Sequence, residues 1–237
     1  MEEYIVRWVM CGVISWSAAF MAVRKALPNR SFDFCSRIIS TAHACVAVVL
    51  ATLSIQDWTR PISPLGSPSS HWQMKSLSVT LSYLIYDFFC ILLDKRINIS
   101  DLVHHAVGIV GIIAGLAYQM CGTEMVTTMW ITEVSTPFLH LRQFLKELGY
   151  KDTDLNLLAD FLFSITFSLA RMGFGPYMTT VTLTADYPFL IKAMALGLQL
   201  VSAFWFFKIL KLMRLKMKSR RNPKAAADGL CPPLKVD

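Results

Sequence analysis

Seven apolar segments, each long enough to cross a bilayer, constrain the fold of this 237-residue chain more than any other feature. A transmembrane helix needs about 20 mostly apolar residues. We predict an all-α membrane protein with seven transmembrane helices, at residues 4–22, 36–55, 77–94, 101–120, 124–143, 155–175 and 188–212. A soluble all-α protein is disfavoured, because 54% of the residues are hydrophobic, 16% are charged, and the links between segments are short.

The fifth segment is the most polar of the seven. It contains Glu133 among several threonines and serines, and Pro137 follows four residues after that glutamate. Proline has no backbone N–H and cannot donate to the Glu133 carbonyl, so we expect a kink at this point.

Basic residues divide unevenly between the two sides of the predicted bundle. The first, third and fifth loops and the C-terminal tail hold most of them, whereas the other side keeps Arg60 and Lys75, with Arg7 just inside the first span. Positive residues favour the cytosolic side, which predicts a lumenal N-terminus and a cytosolic C-terminus. The net charge of +7 is therefore spread over loops, and we expect no nucleic-acid partner.

Residues outside the main bundle have simpler interpretations. Glu2 and Glu3 precede the first apolar run and Arg24 and Lys25 follow it, the reverse of a signal peptide, so residues 1–32 predict a retained anchor. The basic segment 216–237 predicts a disordered cytosolic tail. The six cysteines show no disulfide framework and no zinc spacing.

Ionisable side chains inside the predicted spans are the candidates for function. Such groups are costly in a bilayer and usually face a protein interior or a wet cavity. Helical spacing places Asp101, His104 and His105 on one face, where the carboxylate could fix an imidazole tautomer. Similar spacing aligns Glu133 with His140, and Ser36 and Ser40 with His43, and it forms a stripe of Asp160, Ser164, Ser168 and Arg171.

The predicted topology places ionisable groups of five helices at similar depth. Those in the cytosolic half of the membrane are His43, Asp87, His104, His105, His140 and Asp160, and Glu133 lies near the middle. We expect one polar pocket open toward the cytosol, with apolar walls that admit an acyl chain. Asp87, His105 and Glu133 are the strongest candidates for its lining. Asp101, His104 and Asp160 could instead lie at the interface, and His43 could be a packing histidine. Arg171 and Lys192 lie near lumenal ends and are expected to snorkel.

A metal site built from Asp87, His104, His105 and Glu133 is disfavoured. Adjacent histidines point about 100° apart on a helix, and no histidine pair at i, i+4 exists. We therefore predict no metal and no other bound cofactor.

The chain resembles the TLC domain family over roughly residues 33–215, in particular the group called TLC domain-containing protein 4. The residues that carry the resemblance are Ser36 to His43, Tyr83 to Asp87, the pair His104-His105, and Glu133 to Phe138, with Arg142 closing the span. The resemblance implies six TLC helices around a central cavity, with the first span as an addition.

Ceramide synthases, which are members of that family, transfer an acyl group from coenzyme A to a sphingoid amine. Their histidine pair corresponds to His104 and His105, but their second motif, His-Asp, falls at Thr132 and Glu133. The resemblance thus implies catalytic candidates at His104, His105, Asp87 and Glu133. It implies lipid-binding candidates at His43, Tyr86, Asp101, His140 and Arg142.

Three functional hypotheses follow. The first is a multi-pass protein of lipid homeostasis, in the endoplasmic reticulum or another endomembrane, that binds, senses or moves a lipid. The second is a ceramide synthase-like N-acyltransferase using acyl-CoA as substrate, which is weakened because Thr132 cannot act as general acid or base. The third is a membrane receptor or trafficking adaptor that uses its basic tail.

Overall fold

The computed structural model describes residues 3–55, 57–94 and 98–221, with side chains described as far as residue 217, and no strand occurs among them. A single antiparallel bridge joins Pro68 to Met120. The helices are α1 (Glu3–Ala26), α2 (Phe32–Ser54), α3 (His71–Leu93), α4 (Ile99–Tyr118), α5 (Gly122–Glu133), α6 (Thr136–Glu147), α7 (Asp154–Phe167), α8 (Gly175–Thr184) and α9 (Phe189–Arg221), with a π-helical segment, Ser168–Phe174, between α7 and α8.

The prediction of an all-helical, multi-pass membrane protein is confirmed. Six helical stretches of the described chain are long and apolar enough to cross a membrane. They are α1, α2, α3, α4, the continuous stretch Asp154–Thr184, and α9 as far as Met217. The predicted fifth span instead forms two helices of 12 residues each, so the count of seven stays a prediction.

The break in the fifth predicted span lies where proline chemistry places it. Helix α5 ends at Glu133, α6 begins at Thr136, and Pro137 occupies the first turn of α6. A proline is tolerated there because the first N–H groups of a helix have no intrahelical partner. The Thr132 carbonyl beside the break accepts a hydrogen bond from a side chain of another helix, which positions part of the site described below.

Helix α3 lies at the centre of the bundle and packs against α1, α2, α4 and α5. Its contact with α1 is close, because a Cβ atom added at Gly12 would lie only 2.3 Å from Ser82 Oγ. Small residues permit such approaches between membrane helices. The result is a buried α3 that carries both Tyr83 and Asp87 into the interior.

Loops at the two ends of the bundle pair as the predicted topology requires. At one end, Ser69 N–H donates to the Gln119 carbonyl at 2.9 Å, so the loop after α2 meets the loop after α4. At the other end, Ser31 Oγ donates to a Glu147 carboxylate oxygen at 2.7 Å, which joins the loop before α2 to the end of α6.

The orientation of the bundle is testable by cysteine labelling in sealed microsomes. Leu65 is half exposed in the loop between α2 and α3, so a cysteine at this position should react with an impermeant reagent only from the lumenal side. A cysteine introduced beside Arg220 should react only from the cytosol. The parent protein, which keeps its native cysteines, is the control. Labelling of the two positions from the opposite sides would contradict the predicted orientation.

Candidate functional site

A pocket of about 140 Å³ lies between α3, α4, α5, α8 and α9. Its lining residues include Leu77, Thr80, Leu84, His104, Val107, Gly108, Gly111, Ile112, Cys121, Glu124, Met125, Thr128, Met129, Thr132, Glu133, Thr182, Tyr187, Ile191, Met194, Ala195 and Leu198. Ten of these 21 residues are aliphatic or methionine, and two more are glycines. Its walls are thus suited to a hydrocarbon chain rather than to a hydrated ion.

Polar groups stand at the two ends of the pocket. His104, Thr132 and Glu133 lie at one end, whereas Glu124 and Tyr187 lie at the other. Glu133 and Glu124 are nine residues apart on α5, which corresponds to roughly 13 Å along a helix. The pocket is therefore elongated and largely apolar, with polar side chains at both ends.

The loop between α2 and α3 contacts Glu124 at its end of the pocket. A Glu124 carboxylate oxygen accepts the Gly66 N–H at 2.8 Å and also the Tyr187 hydroxyl. Gly66 has φ +68°, a left-handed conformation that glycine adopts without steric cost, and Tyr187 leaves little space for a Cβ atom there. Sequence reasoning did not single out Glu124, whose position in α5 gave no periodic signal.

Asp87 and His105 come together from α3 and α4, as predicted. His105 Nε2 lies 3.5 Å from Asp87 Oδ2, and both side chains are nearly buried. Ser36 Oγ of α2 donates to Asp87 Oδ1 at 3.3 Å, so three helices meet at this carboxylate. Glu133 interacts electrostatically with both His105 and Asp87, so all three strong candidates lie in one region of the interior. Only Glu133 lines the pocket, so the prediction that Asp87 and His105 also line it is wrong.

Arg171 is buried beside the polar end of the pocket, so the prediction that it snorkels is wrong. Its side chain is only 6% exposed, and its Nη2 donates to the Thr132 carbonyl at 3.2 Å. The guanidinium also interacts electrostatically with Glu133 and His104. The π-helical segment carries this residue, and such segments often occur at functional sites. The polar stripe on the sixth predicted span was the sequence signal for an inward orientation.

His104 lines the pocket. Its ring packs against Trp205 of α9 with the centroids 4.8 Å apart, and its Nδ1 is buried without a hydrogen-bond partner among the described residues. The indole N–H of Trp205 donates to Ser100 Oγ at 3.1 Å, which fixes the ring against α4. The imidazole is therefore held in place and has capacity to bond a ligand.

The remaining sequence candidates lie outside the pocket lining. His43 stacks on Tyr83 with the ring centroids 3.8 Å apart, the arrangement of a packing histidine. Tyr86 packs near Phe20, and His140 is buried near Phe144. Asp101 interacts electrostatically with His105. Arg142 forms an ion pair with Asp160, whose side chain is 1% exposed and so does not contact water. Lipid contact by His43, Tyr86, Asp101, His140 and Arg142 stays a prediction.

Metal-binding geometry is not found in the part of the chain that the structure describes. No group of three or more histidine, cysteine, aspartate or glutamate side chains there is arranged to hold a metal ion.

Comparison with known proteins identifies the family. A family model described as the TLC domain matches residues 33–211. The chain belongs to the TLC domain family. It is 27% identical over 148 residues to the putative TLC domain-containing protein L438 of Acanthamoeba polyphaga mimivirus, covering 60% of this chain and 73% of the viral protein. It is 23% identical over 224 residues to TLC domain-containing protein 4-B of Danio rerio, covering 83% of this chain and 81% of the fish protein.

Position 132 is one point at which the sequence departs from the ceramide synthase pattern. Thr132 stands where that pattern has its second-motif histidine, and the Thr132 hydroxyl donates to the Met129 carbonyl of its own helix. His140, the single histidine of α5 and α6, is not among the residues that line the pocket. The polar end of the pocket therefore presents His104, Glu133 and the nearby Arg171, without a histidine from α5.

Proposed function

We propose that this TLC domain protein binds a lipid in the pocket between α3, α4, α5, α8 and α9, as a multi-pass endomembrane protein of lipid homeostasis that senses or moves that lipid. Proteins of this family are generally membrane proteins linked to lipid metabolism. The observation that carries the proposal is the pocket itself, an apolar space with buried ionisable groups at its limit. The endoplasmic reticulum or another endomembrane is the expected location.

The lining divides the ligand into two parts. Leu77, Ile112 and Met129 provide walls for an acyl chain, since burial of each methylene contributes about 0.8 kcal/mol. His104 and Glu133 face the headgroup, where an imidazole and a carboxylate can bond hydroxyl, amide or amine groups. Arg171, which interacts with both, keeps this end polar. A lipid with a hydrogen-bonding, uncharged or weakly basic headgroup is the class that fits.

Replacement of Glu133 by glutamine should remove most of the lipid that co-purifies with the protein. The variant keeps the size of the side chain but loses the carboxylate, and hydrogen bonds to charged groups are worth about 1.5–3 kcal/mol. The measurement is mass spectrometry of lipids extracted from the protein in mild detergent, with thermal unfolding recorded in parallel. Glu3→Gln is the matched control, because Glu3 is exposed at the start of α1 and bonds Arg7 within the same helix.

The outcome that would contradict lipid binding at this end is equally direct. Glu133 also interacts with the buried Arg171, so some loss of thermal stability is expected in Glu133→Gln. A loss of stability that fully accounts for the lost lipid would mean that the carboxylate only holds helices together. Unchanged lipid content in the variant would contradict a headgroup role for Glu133.

Acyl transfer from acyl-CoA to an amine is the second candidate function. The pairing of His105 with Asp87 favours it, because a carboxylate beside an imidazole orients a general base. The placement of His104 in the pocket favours it as well. The threonine at position 132 argues against it, since a threonine hydroxyl does not titrate near neutral pH.

An assay across acyl-CoA chain lengths and amine acceptors decides between the two functions. If the wild type catalyses acyl transfer, His105→Ala should abolish product formation while the protein remains folded, because the positioned base is gone. His71→Ala is the control, because His71 is exposed at the start of α3, far along that helix from Asp87. Absence of turnover by the wild type with every tested pair would contradict acyl transfer and leave lipid binding.

A further inference from the structure

A second group of charged side chains lies apart from the pocket, where α6, α7 and α9 meet. Asp160 of α7 is its centre, with Arg142 Nε 2.9 Å from one carboxylate oxygen and Lys216 Nζ in contact with the other. Lys146, one turn beyond Arg142 on α6, interacts electrostatically with Arg142, Asp160, Lys216 and Lys151. None of the cluster residues Arg142, Lys146, Asp160 and Lys216 lines the pocket.

Positive charge exceeds negative charge in this cluster. Arg142, Lys146 and Lys216 surround the single carboxylate of Asp160, so two of the three cations lack a matching anion within the cluster. Removing charge from water is costly unless it is paired, which makes such an excess unusual for a purely structural arrangement. A bound anion would balance it.

Arg142 also carries an unused hydrogen-bond donor. The residue is only 5% exposed, and its Nε pairs with Asp160, whereas its Nη2 has no hydrogen-bond partner among the described residues. Its guanidinium lies 5.2 Å from the centre of the Phe163 ring. A buried guanidinium with an unpaired Nη2 is suited to an oxygen of a phosphate.

The cluster is reachable from the membrane surface. The Lys216 side chain is 18% exposed, whereas the Asp160 side chain is 1% exposed, so the lysine forms the outer edge of the cluster. Under the predicted topology this edge faces the cytosol, whose leaflet carries anionic lipids, and basic pockets between helices on that side bind anionic headgroups.

We infer that Arg142, Lys146 and Lys216 bind the phosphate group of an anionic phospholipid at the cytosolic end of α6, α7 and α9. The site is independent of the lipid in the proposed pocket. When no phosphate is bound, Asp160 holds the cations in place. A bound phosphate adds the negative charge that Asp160 alone does not supply.

The test uses the full chain in detergent and follows its thermal unfolding. Phosphatidic acid should raise the unfolding temperature more than phosphatidylcholine of the same chains. The double variant Lys146→Gln, Lys216→Gln should lose most of that difference, because two of the three cations are gone. Lys211→Gln is the matched control on α9, since Lys211 is exposed and stands outside the cluster. It should keep the full difference.

Three results would overturn the inference in different ways. Equal shifts by phosphatidic acid and phosphatidylcholine would exclude a phosphate-selective site. Retention of the difference by the double variant would place the anionic lipid elsewhere. An equal shift by inorganic phosphate would show that a free anion, and not a lipid, occupies the site. Should the double variant not fold, Lys216→Gln alone, which leaves the Arg142–Asp160 pair, provides the same comparison.

Discussion

Asp160→Asn should lower the free energy of unfolding by about 3–5 kcal/mol, the typical cost of removing one partner from a buried ion pair. The Asp160 side chain is 1% exposed and pairs with both Arg142 and Lys216. Asparagine keeps the shape but leaves two cations without their carboxylate in a dry region. Thermal unfolding in a zwitterionic detergent measures the effect without an added anion.

Two control variants distinguish the loss of the ion pair from a general loss of stability on substitution. Asp152→Asn makes the same chemical change at an exposed loop position and should leave the unfolding temperature unchanged. Adding Arg142→Leu to Asp160→Asn should recover part of the lost stability, because the buried guanidinium is then removed as well. If the double variant has a lower free energy of unfolding than Asp160→Asn alone, the two substitutions act as separate packing defects, and the ion-pair account is contradicted.

The sequence predicted the helical membrane fold because length and hydropathy determine which segments can span a bilayer. It also predicted the interruption near Pro137, since that effect depends on the missing N–H of proline and not on tertiary contacts. It did not predict two separate helices of 12 residues each, because whether a kink becomes a break depends on what bonds the freed carbonyls. Here Arg171, from another helix, bonds Thr132.

The meeting of Asp87 with His105 was predicted from depth and helical facing alone. These arguments work when two residues are polar, central and on neighbouring helices. The prediction failed for Arg171, because its nearness to the predicted lumenal end of the span suggested snorkelling, although the polar stripe on that span indicated an inward face. The structure buries the side chain within a π-helical segment, and such a backbone irregularity leaves no periodic pattern in the sequence.

The division of the polar residues into two groups was also beyond the sequence. Depth placed His140 and Asp160 in the same half of the membrane as His105, which suggested one shared pocket. The structure places Arg142 and Asp160 together in a separate pair, and the lining of the pocket includes neither. Whether two residues at the same depth meet depends on which helices are neighbours around the bundle axis. The spacing of residues along one helix does not contain that information.

Ala195→Trp should nearly abolish lipid binding while leaving the fold intact. Ala195 lines the pocket on α9, and an indole at this position would occupy much of the roughly 140 Å³ available to an acyl chain. The substitution leaves His104, Glu133 and Arg171 in place, so it tests the space and not the charges. Some strain is expected, because overpacking typically costs about 1–3 kcal/mol.

Leu200→Trp is the matched control for this change. Leu200 lies on the same helix but is 62% exposed on the outer surface of the bundle, where an indole meets no neighbouring helix. It should keep the lipid content of the wild type. The two variants carry the same new side chain, so a difference between them reports the pocket and not a general effect of tryptophan.

The most direct measurement is the molar ratio of bound lipid to protein, determined by mass spectrometry for the wild type, Ala195→Trp and Leu200→Trp purified in the same mild detergent. A pocket that holds a lipid predicts a constant ratio for the wild type and Leu200→Trp and a ratio near zero for a folded Ala195→Trp. Equal ratios in all three proteins would contradict the account, because the lipid would then lie outside the pocket.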